Sequence, residues 1–260
     1  MKINQERVDK IVHDLERKYL SWFLKDYKIF GGENLEKLKG KKIFYLPNHL
    51  SHMDYIVIPF IINKHKLPHP SIVAGKNLDQ WPTKKLFCEE TGAVFVDRKK
   101  IENGNTKTKK EEIMKLKKSV EDIVYSEHDL LVFLDGTRKE FQKIMESPKD
   151  RYPREYLYEI LKQEKNTDDY FGLNIAINYK PSTIEGPFFK MVRFFKGKSF
   201  PLYFGLDIFA FLTQPIRKKP LVYVNFGEPY PLKKFIEKQD SRGLVQFVKE
   251  DVKRLFKEID

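Results

Sequence analysis

The stretch that most constrains this 260-residue chain is Ile43 to Ile58, IFYLPNHLSHMDYIVI. A short apolar run, Ile43 to Leu46, stops at Pro47-Asn48, gives way to a polar cluster, and resumes as the apolar run Tyr55 to Ile62. That pattern predicts a buried strand delivering a polar loop. With His49 closing the loop and the next helix starting near Ser51, Asp54 falls in the first helical turn, where the positive dipole end favours a carboxylate. On one continuous helix two residues five apart are offset by roughly 140 degrees and point away from each other. A loop-to-helix corner removes that objection and puts the His49 and Asp54 side chains within reach.

An aspartate that accepts a hydrogen bond from one imidazole nitrogen fixes the tautomer, so that the other nitrogen can take a proton. Such a pair is a general base with its orienting partner. It needs no serine or cysteine nucleophile when the acceptor brings its own hydroxyl, because the base deprotonates that hydroxyl as it attacks an activated acyl carbon. Acyl transfer is the reaction class that follows. Taken alone, the pair fits a purely structural role as well.

The string Asn48-His49-Leu50-Ser51-His52-Met53-Asp54 resembles the first signature block of the glycerolipid acyltransferases. Ala74-Gly75-Lys76-Asn77-Leu78 with Trp81-Pro82 looks like the segment that follows this block in bacterial glycerol-3-phosphate acyltransferases. Gly92 to Arg98, a turn into a strand that ends in Arg98-Lys99-Lys100, resembles the second block, whose arginine contributes to the glycerol-3-phosphate site; Arg98 stands in the matching place. Phe133-Leu134-Asp135-Gly136-Thr137-Arg138 resembles the third, in which a carboxylate, a glycine and an arginine line the acceptor site. A glycine at such a turn admits a ligand close to the backbone, and an arginine offers phosphate a bidentate fork. Asp135 replaces the family's usual glutamate, and Lys139-Glu140 replace the Ser-Arg that often follows. Leu173 to Tyr179 resembles the fourth block, with Asn174 where proline is common and a role as apolar lining for the acyl chain.

The resemblance runs from about Leu35 to Pro229. It implies transfer of a fatty acyl group from acyl-CoA or acyl-carrier protein to glycerol 3-phosphate, with the monoacyl acceptor, lysophosphatidate, as the alternative. His49 is then the general base, Asp54 its orienter, and Arg98, Asp135, Gly136 and Arg138 line the acceptor site. No cofactor beyond the donor co-substrate is implied, because a thiolate leaves readily without a metal.

Strands alternating with helices predict an α/β fold, a single catalytic domain over residues 40–260 with a mixed sheet flanked by helices. A helical element over residues 1–39 leads into it. There Val8, Ile11, Val12, Leu15, Tyr19, Trp22 and Phe23 recur at three- and four-residue spacing, an amphipathic helix over residues 5–25 that Gly31-Gly32 breaks. Such a helix either packs on its own domain or lies in a membrane interface. Further helices are expected over 107–125, with lysines on the outward faces, and over 233–259. Strands are expected at Ser71–Gly75, Asp129–Leu134 and Leu221–Phe226. Residues 187–216 interleave Phe and Tyr with Lys and Arg, a pattern suited to a headgroup-level surface and equally to a core.

Forty-nine Lys and Arg against 37 Asp and Glu leave a net charge of +12. That excess suits an anionic partner: a lipid surface, a phosphorylated substrate, an acidic carrier protein or nucleic acid. No zinc-finger spacing, RNP-type aromatic pattern or helix-turn-helix accompanies the lysines, so nucleic acid is set aside. Cys88 is the single cysteine, which forbids an internal disulfide and fits a reducing compartment. No leader and no apolar run of the ~18 to 20 residues a spanning helix needs is evident. A cytoplasmic protein, peripheral on the inner face of the membrane, is the expectation. His65 and His69 read as solvent-facing, and without Cys or carboxylate clusters at ligand spacing no metal site is expected. A non-catalytic lipid-surface or nucleic-acid binder is the reading from another class; its binding would be salt-sensitive and indifferent to His49.

Overall fold

A computed structural model of the protein builds the chain around an eight-stranded mixed sheet. It describes residues 4–14, 24–51, 53–76, 92–133, 158, 161–162, 170–180, 219–238 and 241–260. The strands are β1 (Asp26–Phe30), β2 (Lys42–Pro47), β3 (Ser71–Gly75), β4 (Ala93–Val96), β5 (Leu130–Leu131), β6 (Tyr170–Lys180), β7 (Leu221–Phe226) and β8 (Tyr230–Pro231). Their order is β1-β7-β6-β2-β5-β3-β4, with β8 paired to β6. The run from β6 through β2, β5 and β3 to β4 is parallel; β7 and β8 lie antiparallel to β6, and β1 runs parallel to β7.

The helices are α1 (Gln5–Asp14), α2 (Gly32–Glu36), α3 (Asp54–Lys64), α4 (Arg98–Asn103), α5 (Thr106–Val124), α6 (Leu232–Lys238) and α7 (Ser241–Lys257). Helix α3 covers one sheet face, where Val57, Ile58, Ile61 and Ile62 meet Ile43, Tyr45, Ile72, Leu131, Ile175 and Ile177. On the other face α5 and α7 set Leu116, Val120, Ile123, Val248, Val252 and Leu255 against Phe44, Leu46, Leu130 and Ala176. A parallel strand covered on both faces reads as an unbroken apolar run, which is why Ile43–Leu46 and Ser71–Gly75 were recognisable as strands. Helix α3 is buried almost all round and correspondingly lacks a polar face.

Three expectations need correction or narrowing. The lead-in is not helical up to Gly31, because Asp26–Phe30 is a strand pairing Tyr27 with Val222 and Ile29 with Val224. Tyr27 and Ile29 turn toward the core while Asp26, Lys28 and Phe30 are exposed, a period of two that the helical spacing of Val8 to Phe23 had overshadowed. Residues 26–30 thus belong to the sheet. Gly31 (φ 64°) makes the turn from this strand into α2, and a Cβ there would lie 2.0 Å from the Phe226 carbonyl oxygen. In α1, Val8 is buried and Val12 rests on the core; residues 15–23 of the expected helix lie outside the described residues. Strand β5 pairs over two residues only, and the C-terminal helical stretch comprises α6 and α7. Residues 77–91, with Trp81 and Cys88, and the aromatic stretch 187–216 also lie outside the described residues. Among those described, no helix is long and apolar enough to cross a membrane.

Asp129, at the entrance to β5, ties that strand to β2: its Oδ1 accepts the Ile43 N–H at 2.8 Å. Its Oδ2 has no hydrogen-bond partner among the described residues. Burial is the main cause that pushes the carboxyl up to about 7, with the Ile43 N–H and the Lys42 charge opposing. Because the folded value lies above the unfolded one, the unfolded chain releases this proton first. Stability is therefore full at about pH 4 and falls as pH rises through about 7. Asp129→Asn keeps an acceptor for Ile43 and removes the charge, so it should stabilise the protein near pH 8 by as much as ~4 kcal/mol and change little near pH 4. Denaturant titrations at the two pH values measure this; an equal effect at both would contradict it.

Candidate active site

The site begins where β2 stops. Pro47 pairs with Ile175, and β6 continues five residues further, from Ile175 to Lys180. Against this overhang Asn48 uses its side chain as a strand would use its backbone. Its Nδ2 donates to the Ile177 carbonyl at 3.0 Å, and its Oδ1 accepts the Ile177 N–H at 2.8 Å. Both groups are buried, so the amide ends the strand without leaving the neighbouring peptide unsatisfied. The loop then turns through Ser51, whose Oγ accepts the Met53 N–H and whose carbonyl accepts the Asp54 N–H.

Asp54 is the first residue of α3, three positions later than the helix start expected near Ser51, and it is fully buried. Its Oδ2 lies 2.8 Å from His49 Nδ1 and also accepts the N–H groups of Leu50 and Ser51 at 2.7 and 2.9 Å. Its Oδ1 accepts the Tyr179 hydroxyl at 2.5 Å. These donors replace the water that the carboxylate loses on burial. The contact forms at the expected corner because the loop doubles back and aims two backbone amides at the carboxylate. The His49 ring, 3% exposed, packs on Phe133 at a centroid distance of 4.3 Å and edge-on to Tyr55 at 5.0 Å. These contacts restrict its rotation. With a carboxylate as acceptor, a neutral His49 ring has its proton on Nδ1 and its lone pair on Nε2, the arrangement a general base requires.

The remaining expected residues are distributed as follows. Arg98 opens α4 just after β4, behind Asp97, whose Oδ1 caps the helix by accepting the Lys100 N–H at 3.2 Å. The parallel strands β2 to β5 put their carboxyl ends on one edge of the sheet, so the His49 loop, Arg98 and the chain after β5 all leave from that edge. In the order β2-β5-β3-β4, β4 is three strand spacings from β2, roughly 14 Å. Asp135, Gly136 and Arg138 lie outside the described residues; Phe133, two positions before Asp135, is the residue against the His49 ring.

Two residues at the site carried no assigned role in the sequence, Asn48 as a strand-ending clamp and Tyr179. The available signal for Tyr179 was weak: a phenol on the same strand face as Ile175 and Ile177, whose hydroxyl must find a partner once buried. Asn174, which stands where the resemblance expects proline, donates to Asp251 and accepts from the Tyr230 hydroxyl. Of the two histidines expected at the surface, His65 meets Glu36 at 3.5 Å. His69 is only partly exposed; its Nδ1 is enclosed with no hydrogen-bond partner among the described residues, and burial pulls its pKa down to about 4 despite the Asp9 charge. Among the described residues no three His, Cys, Asp or Glu are grouped to hold a metal ion.

Residues 28–151 match the sequence profile of the Acyltransferase family. The glycerol-3-phosphate acyltransferase of Shewanella denitrificans is 36% identical over 98 residues, 35% of this chain and 12% of that protein. That of Glaesserella parasuis is 26% identical over 246 residues, covering 90% of this chain and 28% of that protein. The glycerol-3-phosphate acyltransferase of Baumannia cicadellinicola is 37% identical over 90 residues, 32% of this chain and 11% of that protein. The chain thus spans between 11% and 28% of the length of these relatives. Its buried histidine–aspartate corner lies inside the segment that is similar to the Acyltransferase family, at the sheet edge where the strands of the second and third motifs also end.

Proposed function

We propose that this chain transfers a fatty acyl group from a thioester, acyl-CoA or acyl-carrier protein, to a hydroxyl of glycerol 3-phosphate, a step of phospholipid synthesis. The observation that carries the reading is the 2.8 Å contact between His49 and Asp54, buried at the carboxyl edge of the sheet within the family segment. In the proposed reaction the acceptor hydroxyl gives its proton to His49 Nε2 as its oxygen attacks the thioester carbonyl. Asp54 holds the imidazolium that forms. The tetrahedral intermediate then expels the thiolate as the C–S bond breaks, the imidazolium returns the proton to sulfur, and an ester and a free thiol leave. The thioester supplies the activation, so the proposal needs no cofactor.

Arg98, Asp135, Gly136 and Arg138 form the proposed acceptor site, with the arginines on the phosphate. The relatives' common name favours glycerol 3-phosphate as the acceptor. The net charge of +12 supports an anionic membrane surface on the cytoplasmic side as the place where product is delivered.

The test is turnover by the purified protein, with palmitoyl-CoA or acyl-carrier protein as donor and glycerol 3-phosphate or its monoacyl form as acceptor, products being identified by mass. Monoacylglycerol phosphate from glycerol 3-phosphate is the expected result. Turnover with only the monoacyl acceptor would reassign the substrate, and none with any pair would overturn the reading. Arg138→Ala is expected to raise KM for the phosphorylated acceptor at least ~10-fold, the scale of one lost charge-assisted hydrogen bond. The donor KM should stay within about twofold; equal changes in both would remove Arg138 from the acceptor site.

A further inference from the structure

The overhang of β6 does more than receive Asn48. Beyond Ile177, whose backbone the Asn48 amide holds, the next residue on the same strand face is Tyr179, fully enclosed beneath the start of α3. Its hydroxyl is the donor to Asp54 Oδ1 among the described residues, whereas Oδ2 takes His49, Leu50 and Ser51. We propose that Tyr179 is a positioning residue of this site, which by donating to Asp54 Oδ1 holds Oδ2 against His49 Nδ1 and so keeps His49 in its Nδ1-protonated tautomer. Asp54 is 0% exposed, so no bulk water stands ready to replace the phenol. The phenol itself remains a donor, because burial, and after it the Asp54 charge, pushes its pKa well above the ordinary tyrosine range.

The consequence of losing that donor follows from the cost of an unsatisfied buried charge. Asp54 relieves it by turning Oδ1 toward another donor, which draws Oδ2 away from His49 Nδ1. The Nδ1–H then lacks its acceptor, and the ring's proton moves, through solvent, to Nε2. Nε2 is the position that must be unprotonated for His49 to act as a base. One hydroxyl, 125 residues away in sequence, therefore decides which ring nitrogen holds the lone pair.

The test is the Tyr179→Phe protein, which removes one oxygen and keeps the ring. The first readout is the nitrogen spectrum of labelled histidine at about pH 8, with the His49 signals identified by their loss in His49→Gln. The wild type is expected to be protonated at Nδ1, and Tyr179→Phe to shift toward the Nε2-protonated tautomer. The second readout is kinetic and rests on the proposed acyl transfer: kcat should fall at least ~10-fold, with KM for both substrates within about twofold. An unchanged His49 tautomer in Tyr179→Phe overturns the proposal whatever happens to kcat. Placing 3-fluorotyrosine at this position, a stronger donor of nearly the same volume, covers the case in which the phenylalanine protein fails to fold. It should move the His49 Nδ1 proton resonance, and a resonance that stays in place overturns the proposal. A tautomer shift in a protein with no turnover would sink the acyltransferase reading and leave the Tyr179 assignment standing.

Discussion

Replacing His49 with alanine is expected to lower turnover at least ~100-fold while the protein remains folded. The loss follows from the proposed chemistry, since nothing else described at the corner offers a lone pair at the position of Nε2. Retention of the fold follows from the Asp54 environment: without the imidazole, the carboxylate still accepts from Leu50, Ser51 and Tyr179. The cavity left between Phe133 and Tyr55 costs on the order of 2 to 4 kcal/mol, as for other large-to-small changes in a core. His49→Gln, which fills more of that space, should lose turnover to the same extent and lose less stability. Initial rates and thermal melts of both variants decide the matter. Near-wild-type turnover in either would remove His49 from the mechanism.

The second large effect is expected at Asp54, where two substitutions separate catalysis from stability. Asp54→Ala leaves the N–H groups of Leu50 and Ser51 and the Tyr179 hydroxyl without their acceptor inside the protein. At about 1 to 3 kcal/mol for each unsatisfied buried group, this variant should be destabilised by several kcal/mol and inactive. Asp54→Asn is milder. Its amide oxygen can still receive the two backbone N–H groups, and its NH2 can donate to the Tyr179 oxygen if that hydroxyl turns away. What it lacks is the charge that, in the proposed mechanism, holds the imidazolium and selects the tautomer, so kcat should fall by roughly 100- to 10,000-fold with most of the stability retained. Wild-type kcat in a folded Asp54→Asn protein would show that the contact with His49 is structural.

Much of this architecture is local and was legible for that reason. Buried parallel strands leave unbroken apolar runs between turn residues, so β2, β3 and β7 could be bounded to within about a residue, and the three- and four-residue spacing of Leu116, Val120, Ile123 and Val124 marked α5. The corner at His49 and Asp54 was legible too, because a strand, a polar loop and a helix start lie within one stretch of chain. Strand β1 was not, since an edge strand half exposed to water carries only two inward residues, Tyr27 and Ile29, and follows a longer helical pattern.

The sequence by itself determined which residues stand at the corner and what reaction class they suit. Only the tertiary structure decided the strand order that brings β6 beside β2, and with it the Asn48 clamp and the Tyr179 hydroxyl on Asp54. Partners 129 and 125 residues apart leave no periodicity or spacing for a reader to detect. Their pairing is set by the packing of a whole sheet, whereas the histidine and aspartate it supports are held together by a single turn of chain.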